Sequence, residues 1–285
     1  MDTQKDLLVS ICCITYNHEE YIAQTLASFL MQRYNFQLEI IIGEDYSTDN
    51  TAKILDYYQK KHPGLIRIVR AGANVGSIKN QLLTMKAAKG KYIAMCDGDD
   101  FWTDPLKLQK QVDYLESHPD YGICCHYTRV INEKGQTVYL HPRPESLEFD
   151  YEDLLLGKRE ETRICSLMIR NDEEIRSIGL QDWYHKSYGS DTLFKLYALR
   201  SGKKIYVIPK IMACYRLHSG GIWSMIDPKL RKSRMISDFN LMIHNFKYNA
   251  YQKKALLKIY LYQYLLFDLR YFRFNQAAQT IRSLW

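Results

Sequence analysis

Four short apolar runs, separated by segments of helical periodicity, fill the first hundred residues and restrict the fold more than any other feature. Residues 7–14, 38–43, 65–69 and 91–96 read as strands rich in β-branched and small side chains. Between them, Ile22, Leu26, Phe29 and Leu30 share one helical face, Ile54, Leu55 and Tyr58 a second, and Ile78, Leu82 and Met85 a third. Asn17 and Glu20 have capping-box spacing for the first helix, Asn74-Val75-Gly76 turns into the third, and Gly90 ends it. Strands apolar at successive positions need cover on both faces, which predicts a parallel sheet with right-handed helical crossovers. Ligands of such open sheets sit beyond the C-terminal strand ends, here after Ile14, Gly43, Val69 and Cys96.

The rest of the 285-residue chain is more mixed. Asp104-Pro105 precedes a helical stripe of Leu108, Val112 and Leu115 that Pro119 stops. Strands are expected at 121–130, 165–169, 204–208 and 211–216, the last two parted by Pro209, and a helix at 192–199. From residue 228 the pattern is helical, with aromatic and basic residues interleaved.

Charge is distributed unevenly. The net charge is +7, yet residues 228–285 hold 11 Lys and Arg against Asp238 and Asp268, a balance of +9, and the first 227 residues a balance of −2. A uniformly basic nucleic-acid binder is thereby excluded, and no nucleic acid is expected as a partner. Residues 1–6 are polar, and the longest apolar candidate, 255–269, contains Lys258, Gln263 and Asp268, so neither a signal peptide nor a membrane span is expected. Seven cysteines without any CxxC read as buried reduced thiols of a cytoplasmic protein.

Three polar clusters follow three of the strand ends: Thr15-Tyr16-Asn17, Glu44-Asp45-Tyr46-Ser47-Thr48-Asp49 and Asp97-Gly98-Asp99-Asp100. One acidic turn is ordinarily a solvated loop or a cap. Two at one sheet edge repel each other unless a cation or a donor-rich ligand lies between them. Asp97 and Asp99 offer hard oxygen ligands suited to Mg2+ or Mn2+, with Gly98 allowing the sharp turn. An EF-hand is excluded by Phe101 at the fifth position, and no Walker loop, GxGxxG or HExxH is present.

As a set, Ser10-Ile-Cys-Cys-Ile-Thr-Tyr-Asn17, Gly43-Glu-Asp-Tyr-Ser-Thr-Asp-Asn-Thr51, Asn74-Val-Gly76 and Asp97-Gly-Asp-Asp100 resemble the nucleotide-sugar domain of family-2 glycosyltransferases with the GT-A fold. Ser190-Asp191 and Tyr215-Arg-Leu-His-Ser-Gly-Gly-Ile-Trp223 resemble bacterial members of that family. The resemblance implies an α/β, Rossmann-like, mostly parallel sheet flanked by helices, with a C-terminal helical appendage. It divides the chain into a nucleotide-sugar-binding part at 1–100, an acceptor and catalytic part of the same domain at 101–227, and basic aromatic helices at 228–285. Thr15, Tyr16, Asn17, Glu44, Asp45, Asn74, Lys79 and Asp97 then fall at positions that bind the donor, Asp99 at a metal ligand and Asp191 at the catalytic base. Family members often carry Asp-Asp where this chain has Glu44-Asp45, which leaves open which acid meets the base. His218 has two readings, a metal ligand joining Asp99 or a hydrogen-bonded loop histidine. Trp102 and Trp223 either stack on a sugar or fill core, and Arg216 either faces a phosphate or lies at the surface.

The implied activity is that of a metal-dependent, hexosyltransferase-type enzyme. It would move a sugar from a nucleoside diphosphate sugar, UDP-linked by preference, to a hydroxyl of a surface glycan or its lipid-linked precursor. A divalent cation neutralises the diphosphate as it leaves, and a carboxylate takes the proton of the attacking hydroxyl. A single displacement inverts the anomeric centre, so base and leaving group belong on opposite faces of the sugar. The basic helices add a peripheral contact with the inner membrane leaflet as a candidate, and a second copy of the chain is another. Two alternatives stand beside this reading. A sugar nucleotidyltransferase resembles a Gly-rich basic loop after the first strand, where this chain has Thr15-Tyr16-Asn17-His18-Glu19-Glu20, and a non-catalytic nucleotide-sugar-binding protein would have lost Asp191 or Asp99.

Overall fold

A mixed sheet of ten strands runs through the computed structural model, which describes residues 8–158, 163–188, 191–223 and 226–285. Its first half is the expected alternation: β1 (Leu8–Thr15), α1 (Ile22–Leu30), β2 (Gln37–Glu44), α2 (Thr51–Lys61), β3 (Ile66–Arg70), α3 (Ser77–Ala87) and β4 (Tyr92–Met95). These four strands lie in the order β3-β2-β1-β4, all parallel. Alternation explains why they read as apolar throughout. Val9, Ile11 and Cys13 of β1 and Ile40 and Ile42 of β2 pack with Ile22, Leu26 and Phe29 of α1, while Cys12 and Ile41 point into a second core with Met85 of α3. Burying each large aliphatic or aromatic side chain contributes about 1.5–3 kcal/mol, so the crossovers are held from both faces.

The second half departs from a simple doubly wound sheet. It comprises β5 (Phe101–Trp102), α4 (Lys107–Ser117), β6 (Tyr121–Asn132), β7 (Thr137–Tyr139), β8 (Leu147–Phe149), α5 (Tyr151–Leu155), β9 (Met168–Arg170), α6 (Glu173–Arg176), α7 (Asp191–Leu199) and β10 (Lys204–Leu217). β9 inserts antiparallel between β4 and β6, and β10 runs parallel to β6. The strand expected at 165–169 is shorter, because Ile164–Ser166 form a 3-10 turn ahead of β9. Pro209 does not divide two strands. β10 runs through it with a register shift between Ile208 and Ile211, since a bulge needs no N–H at that point.

The capping box expected at Asn17 and Glu20 does not form. α1 starts at Ile22, four residues beyond His18, and Asn17 adopts a left-handed conformation (φ 54°) with its side chain turned to another loop. Leu7 and Ser190 lie outside the described residues. All seven cysteines are buried and lie outside any disulfide, as expected of reduced thiols.

Residues 228–285 form four helices: α8 (Pro228–Asn245), α9 (Ala250–Gln263), α10 (Leu265–Arg270) and α11 (Phe274–Leu284). Asp227 caps α8, accepting from the Leu230 amide at 3.0 Å, and Asn249 and Gln252 form a capping box on α9. Ile236, Phe239, Met242, Ile243, Leu256 and Tyr260 join the core that holds α7 and β6, while Leu261 and Leu266 are exposed. Among the described residues no helix is long and apolar enough to cross a membrane.

Candidate functional site

Register brings the polar strand ends to one edge. Thr15 pairs with Glu44 and Glu44 with Arg70, so β1, β2 and β3 finish level with one another. The turn after β4 is drawn to the same place: the Gly98 amide donates to the Ile14 carbonyl at 2.9 Å, and Thr25 Oγ1 of α1 donates to the carbonyls of Gly98 and Asp100 at 2.9 and 2.7 Å. Beyond this edge opens a cavity of about 1010 Å³. Thr15, Tyr16, Asp45, Asn74, Asp97, Asp99 and Asp191 line it. Asn17, Glu44, Lys79 and His218 do not.

Three of those four are engaged elsewhere, and the fourth is exposed. Asn17 Oδ1 accepts from the Thr48 amide at 2.8 Å, beside bonds from the His18 amide to Thr51 Oγ1 at 2.8 Å and from the Asn50 amide to Glu19 Oε2 at 2.9 Å. The β1–α1 loop is thereby stapled to the β2–α2 loop. Glu44 Oε1 accepts from the Ser47 amide at 2.6 Å and closes its own turn. Lys79 lies exposed on α3. His218 is buried and bonded to Asp99.

Asp45 spans two loops. It is buried, and its Oδ1 and Oδ2 accept from the amides of Val75 and Gly76 at 2.7 and 2.9 Å, at the entrance to α3. Each carboxylate oxygen has a second lone pair, and the side chain lines the cavity, so a ligand donor can still be met there.

The acidic turn is fixed from behind by Arg216. Its backbone amide donates to Asp100 Oδ1 at 2.8 Å, its Nε to the Asp99 carbonyl at 3.0 Å and its Nη2 to Gln24 Oε1 at 2.8 Å, with the guanidinium 4.6 Å from the Tyr21 ring. Arg216 is thus a buried brace and not a surface residue. Trp102 is core, with Nε1 donating to the Cys165 carbonyl at 2.8 Å, whereas Trp223 lines the cavity.

His18, Asp99 and His218 come from three distant segments and place one ligand atom each within 4.8 Å of one another. In the tautomer with its proton on Nε2, His218 donates to Asp99 Oδ2 at 2.9 Å, and His18 Nε2 lies 3.8 Å from the same oxygen. Thr15 Oγ1 and His18 Nδ1 are buried polar atoms without a hydrogen-bond partner. A Cβ on residue 98 would fall 2.7 Å from that hydroxyl and 2.9 Å from that ring nitrogen, so the close approach requires glycine. These donors fit a divalent cation: one carboxylate, two imidazoles and unsatisfied polar atoms beside them.

Electrostatics sharpens the contrast among the acids. Burial, with Asp99 and Asp191 adding repulsion, pushes the Asp97 carboxyl well above the usual carboxylate range. Burial acts upward on Asp99 too, but the His218 hydrogen bond and the His18 ring outweigh it and hold Asp99 below its ordinary value. Burial drives His18 below its ordinary value against the attraction of Asp99, favouring the neutral ring that binds metals. Asp191 opens α7 and lines the cavity, 92 positions beyond Asp99. Sequence reasoning missed His18, a lone loop histidine with no spacing motif, and the far wall of the cavity, where α5 supplies Leu154 and Leu155 and α8 supplies Met235 and Phe239.

Comparison with known proteins bears on the whole arrangement. Residues 10–176 match the family model for glycosyl transferase family 2. An uncharacterized protein of Mycobacterium tuberculosis is 39% identical over 219 residues, 75% of this chain and 60% of that protein. The chain therefore spans about 60% of the length of its mycobacterial relatives. The putative teichuronic acid biosynthesis glycosyltransferase TuaG of Bacillus subtilis is 28% identical over 257 residues, 88% of this chain and 97% of TuaG. Among solved structures, S. aureus TarS 1-349 in complex with UDP-GlcNAc superposes with a TM-score of 0.69 at 18% identity, covering 98% of this chain and 82% of that one. A mannosyltransferase of Pyrobaculum calidifontis in complex with GDP-Man and Mn2+ gives 0.66 at 17% identity, covering 98% and 74%. At these identities the likeness shows the fold, and it is the GT-A fold expected from the strand-end motifs.

Proposed function

The chain belongs to glycosyl transferase family 2, and on that footing we propose that it moves a sugar from a UDP-linked donor to a hydroxyl acceptor, inverting the anomeric centre, in the assembly of a surface polysaccharide. The observation that carries this reading is the convergence of Asp45, Asp97, Asp99 and Asp191 on one cavity from segments spread over nearly 150 positions. The names of TuaG and of the nucleotide-sugar-bound structures support the reaction class.

The donor nucleoside sits against Thr15, Tyr16 and Asn74, with a donor group of the base meeting Asp45 and the ribose near Asp97. Glu44, Asn17 and Lys79 act from outside the cavity, the first two by fixing the loops that shape it. Asp99 and His218 would hold Mn2+ or Mg2+, which supplies neutralisation of the charge that develops on the departing diphosphate. Asp191, on the other side of the sugar, accepts the proton of the attacking hydroxyl. In this reading residues 1–100 bind the donor, 101–227 carry the catalytic base, and 228–285 complete the acceptor side. The apolar wall of Leu154, Leu155, Met235 and Phe239 supports an acceptor that presents an apolar part, as a lipid-linked glycan does. Exposed Tyr262 on α9, Leu266 on α10 and Phe272 in the turn after α10, together with the basic residues of 228–285, support a peripheral contact with an anionic inner leaflet.

A thermal-shift series with UDP, GDP and their sugars, each with Mn2+, tests the donor site. A ligand at 100 times its Kd adds about 2.7 kcal/mol to stability, a rise of several degrees. UDP with Mn2+ is expected to raise the midpoint. A midpoint unmoved by every nucleotide would overturn the proposal.

A further inference from the structure

We infer that His18 is a third protein ligand of the metal, so that the site offers two imidazole nitrogens and one carboxylate oxygen and selects Mn2+ over Mg2+. The inference deepens the donor site proposed above and rests on it in one respect, that Asp99 holds a cation there.

Geometry comes first. Two ligands at right angles around an ion at about 2.1 Å are about 3 Å apart, and opposite ones about 4.2 Å. His218 Nε2 lies 2.9 Å and His18 Nε2 3.8 Å from Asp99 Oδ2, and the three ligand atoms fall within 4.8 Å of one another. One ion can therefore be reached by all three with small side-chain adjustments. The rings are also pre-oriented, 5.9 Å apart at centroid and close to perpendicular, which brings two nitrogens to one point without ring contact.

Rigidity comes second. His18 sits between residues stapled to the β2–α2 loop: its own amide donates to Thr51 Oγ1, the Glu19 amide to Asp49 Oδ2 at 3.0 Å, and Asn17 accepts from Thr48. A loop histidine with only a packing role has no need of a backbone held on both sides and a ring turned toward a carboxylate. His218 is fixed at the end of β10, and the Asp99 backbone by Arg216.

Donor chemistry decides the ion. Mg2+ takes oxygen ligands in a tight octahedron and keeps several waters, so imidazole nitrogen is a poor match. Imidazole suits the later first-row ions, and affinity for such a set rises from Mn2+ toward Co2+. Among the ions that serve diphosphate leaving groups, Mn2+ accepts both nitrogen and phosphate oxygen.

The test uses the full chain with Mn2+ and UDP. Electron spin-echo modulation of the bound Mn2+ counts directly coupled nitrogens, and titration against Mg2+ gives the preference. Two coupled nitrogens are expected in the wild type and one in His18→Gln, with Mn2+ affinity lowered roughly 10–100-fold and Mg2+ affinity little changed, since loss of a supporting group alone is worth that much at metal sites. One nitrogen in both proteins, lost in His218→Gln, overturns the role of His18 and leaves the donor site standing. Failure of the wild type to bind Mn2+ even with UDP overturns both. The wild-type nitrogen count decides the matter even where a variant does not fold.

Discussion

Asp45→Asn exchanges one of two acceptor oxygens for an amide group that faces a backbone N–H. The wild-type carboxylate takes the Val75 amide on one oxygen and the Gly76 amide on the other, at 2.7 and 2.9 Å. Asn can keep one of these bonds through its carbonyl oxygen, while its NH2 meets the other amide donor to donor. A hydrogen bond to a charged acceptor contributes about 1.5–3 kcal/mol net. Asp45 is buried but Gly76 is exposed, so the lower half of that range applies: about 1.5–2 kcal/mol. At roughly 2 °C per kcal/mol for a chain of this size, the midpoint falls by about 3–4 °C. The loss is local, so amide exchange at Val75 and Gly76 reports it more sharply, with protection reduced roughly tenfold or more. Differential scanning fluorimetry and exchange mass spectrometry over residues 71–80 measure both. UDP affinity should fall as well, because the same side chain lines the cavity. Unchanged melting together with unchanged exchange would refute the loop-tie reasoning, and lowered melting with unaltered UDP affinity would make Asp45 a structural residue alone.

Three further outcomes concern other parts of the molecule. Asp191→Asn should leave UDP affinity near wild type while lowering transfer roughly 10²–10⁴-fold, the range for a positioned proton acceptor, as read by binding and UDP release in parallel. His126 is fully buried with Nε2 unpartnered, and burial, aided by the Lys107 charge, holds its pKa well below 6.5. Its neutral form therefore stabilises the fold above pH 6.5, and that contribution is lost as pH falls; between pH 7.5 and 5.5, urea titrations should show the wild type losing stability that His126→Asn keeps. The chain should float with anionic vesicles at low salt and release as salt rises, since each base near such a surface contributes about 1 kcal/mol, and neutral vesicles should bind it poorly.

Much of the donor half was legible in the sequence because β1, β2 and β4 are buried on both faces, and a fully apolar run bounded by turn residues leaves few other readings. The strand-end rule then puts Asp45, Asp97 and Asp99 at one edge from sequence alone. Asn17 shows where local pattern failed: its spacing to Glu20 suits a cap, but the loop contacts with Thr48 and Ser47 offer its polar groups better partners, and the helix starts later. Pro209 failed for the opposite reason, since only the neighbouring strand reveals that a bulge absorbs it. His18 and Arg216 were illegible because their partners, Asp99 and Asp100, lie 81 and 116 positions away, beyond any periodicity. The apolar wall from α8 was hidden likewise: nothing in the sequence pattern sets Met235 and Phe239 apart, and only packing brings them to the cavity that Asp191 also lines.

The central claim, inverting transfer from a UDP-sugar in the cavity at the strand ends, is met most directly by proton NMR of the sugar released or transferred from an α-linked UDP-sugar with Mn2+. The expected result is a β-configured product appearing first, at a rate that falls at least a hundredfold in Asp191→Asn. An α-configured first product, or UDP release at an equal rate in wild type and Asp191→Asn, would contradict it.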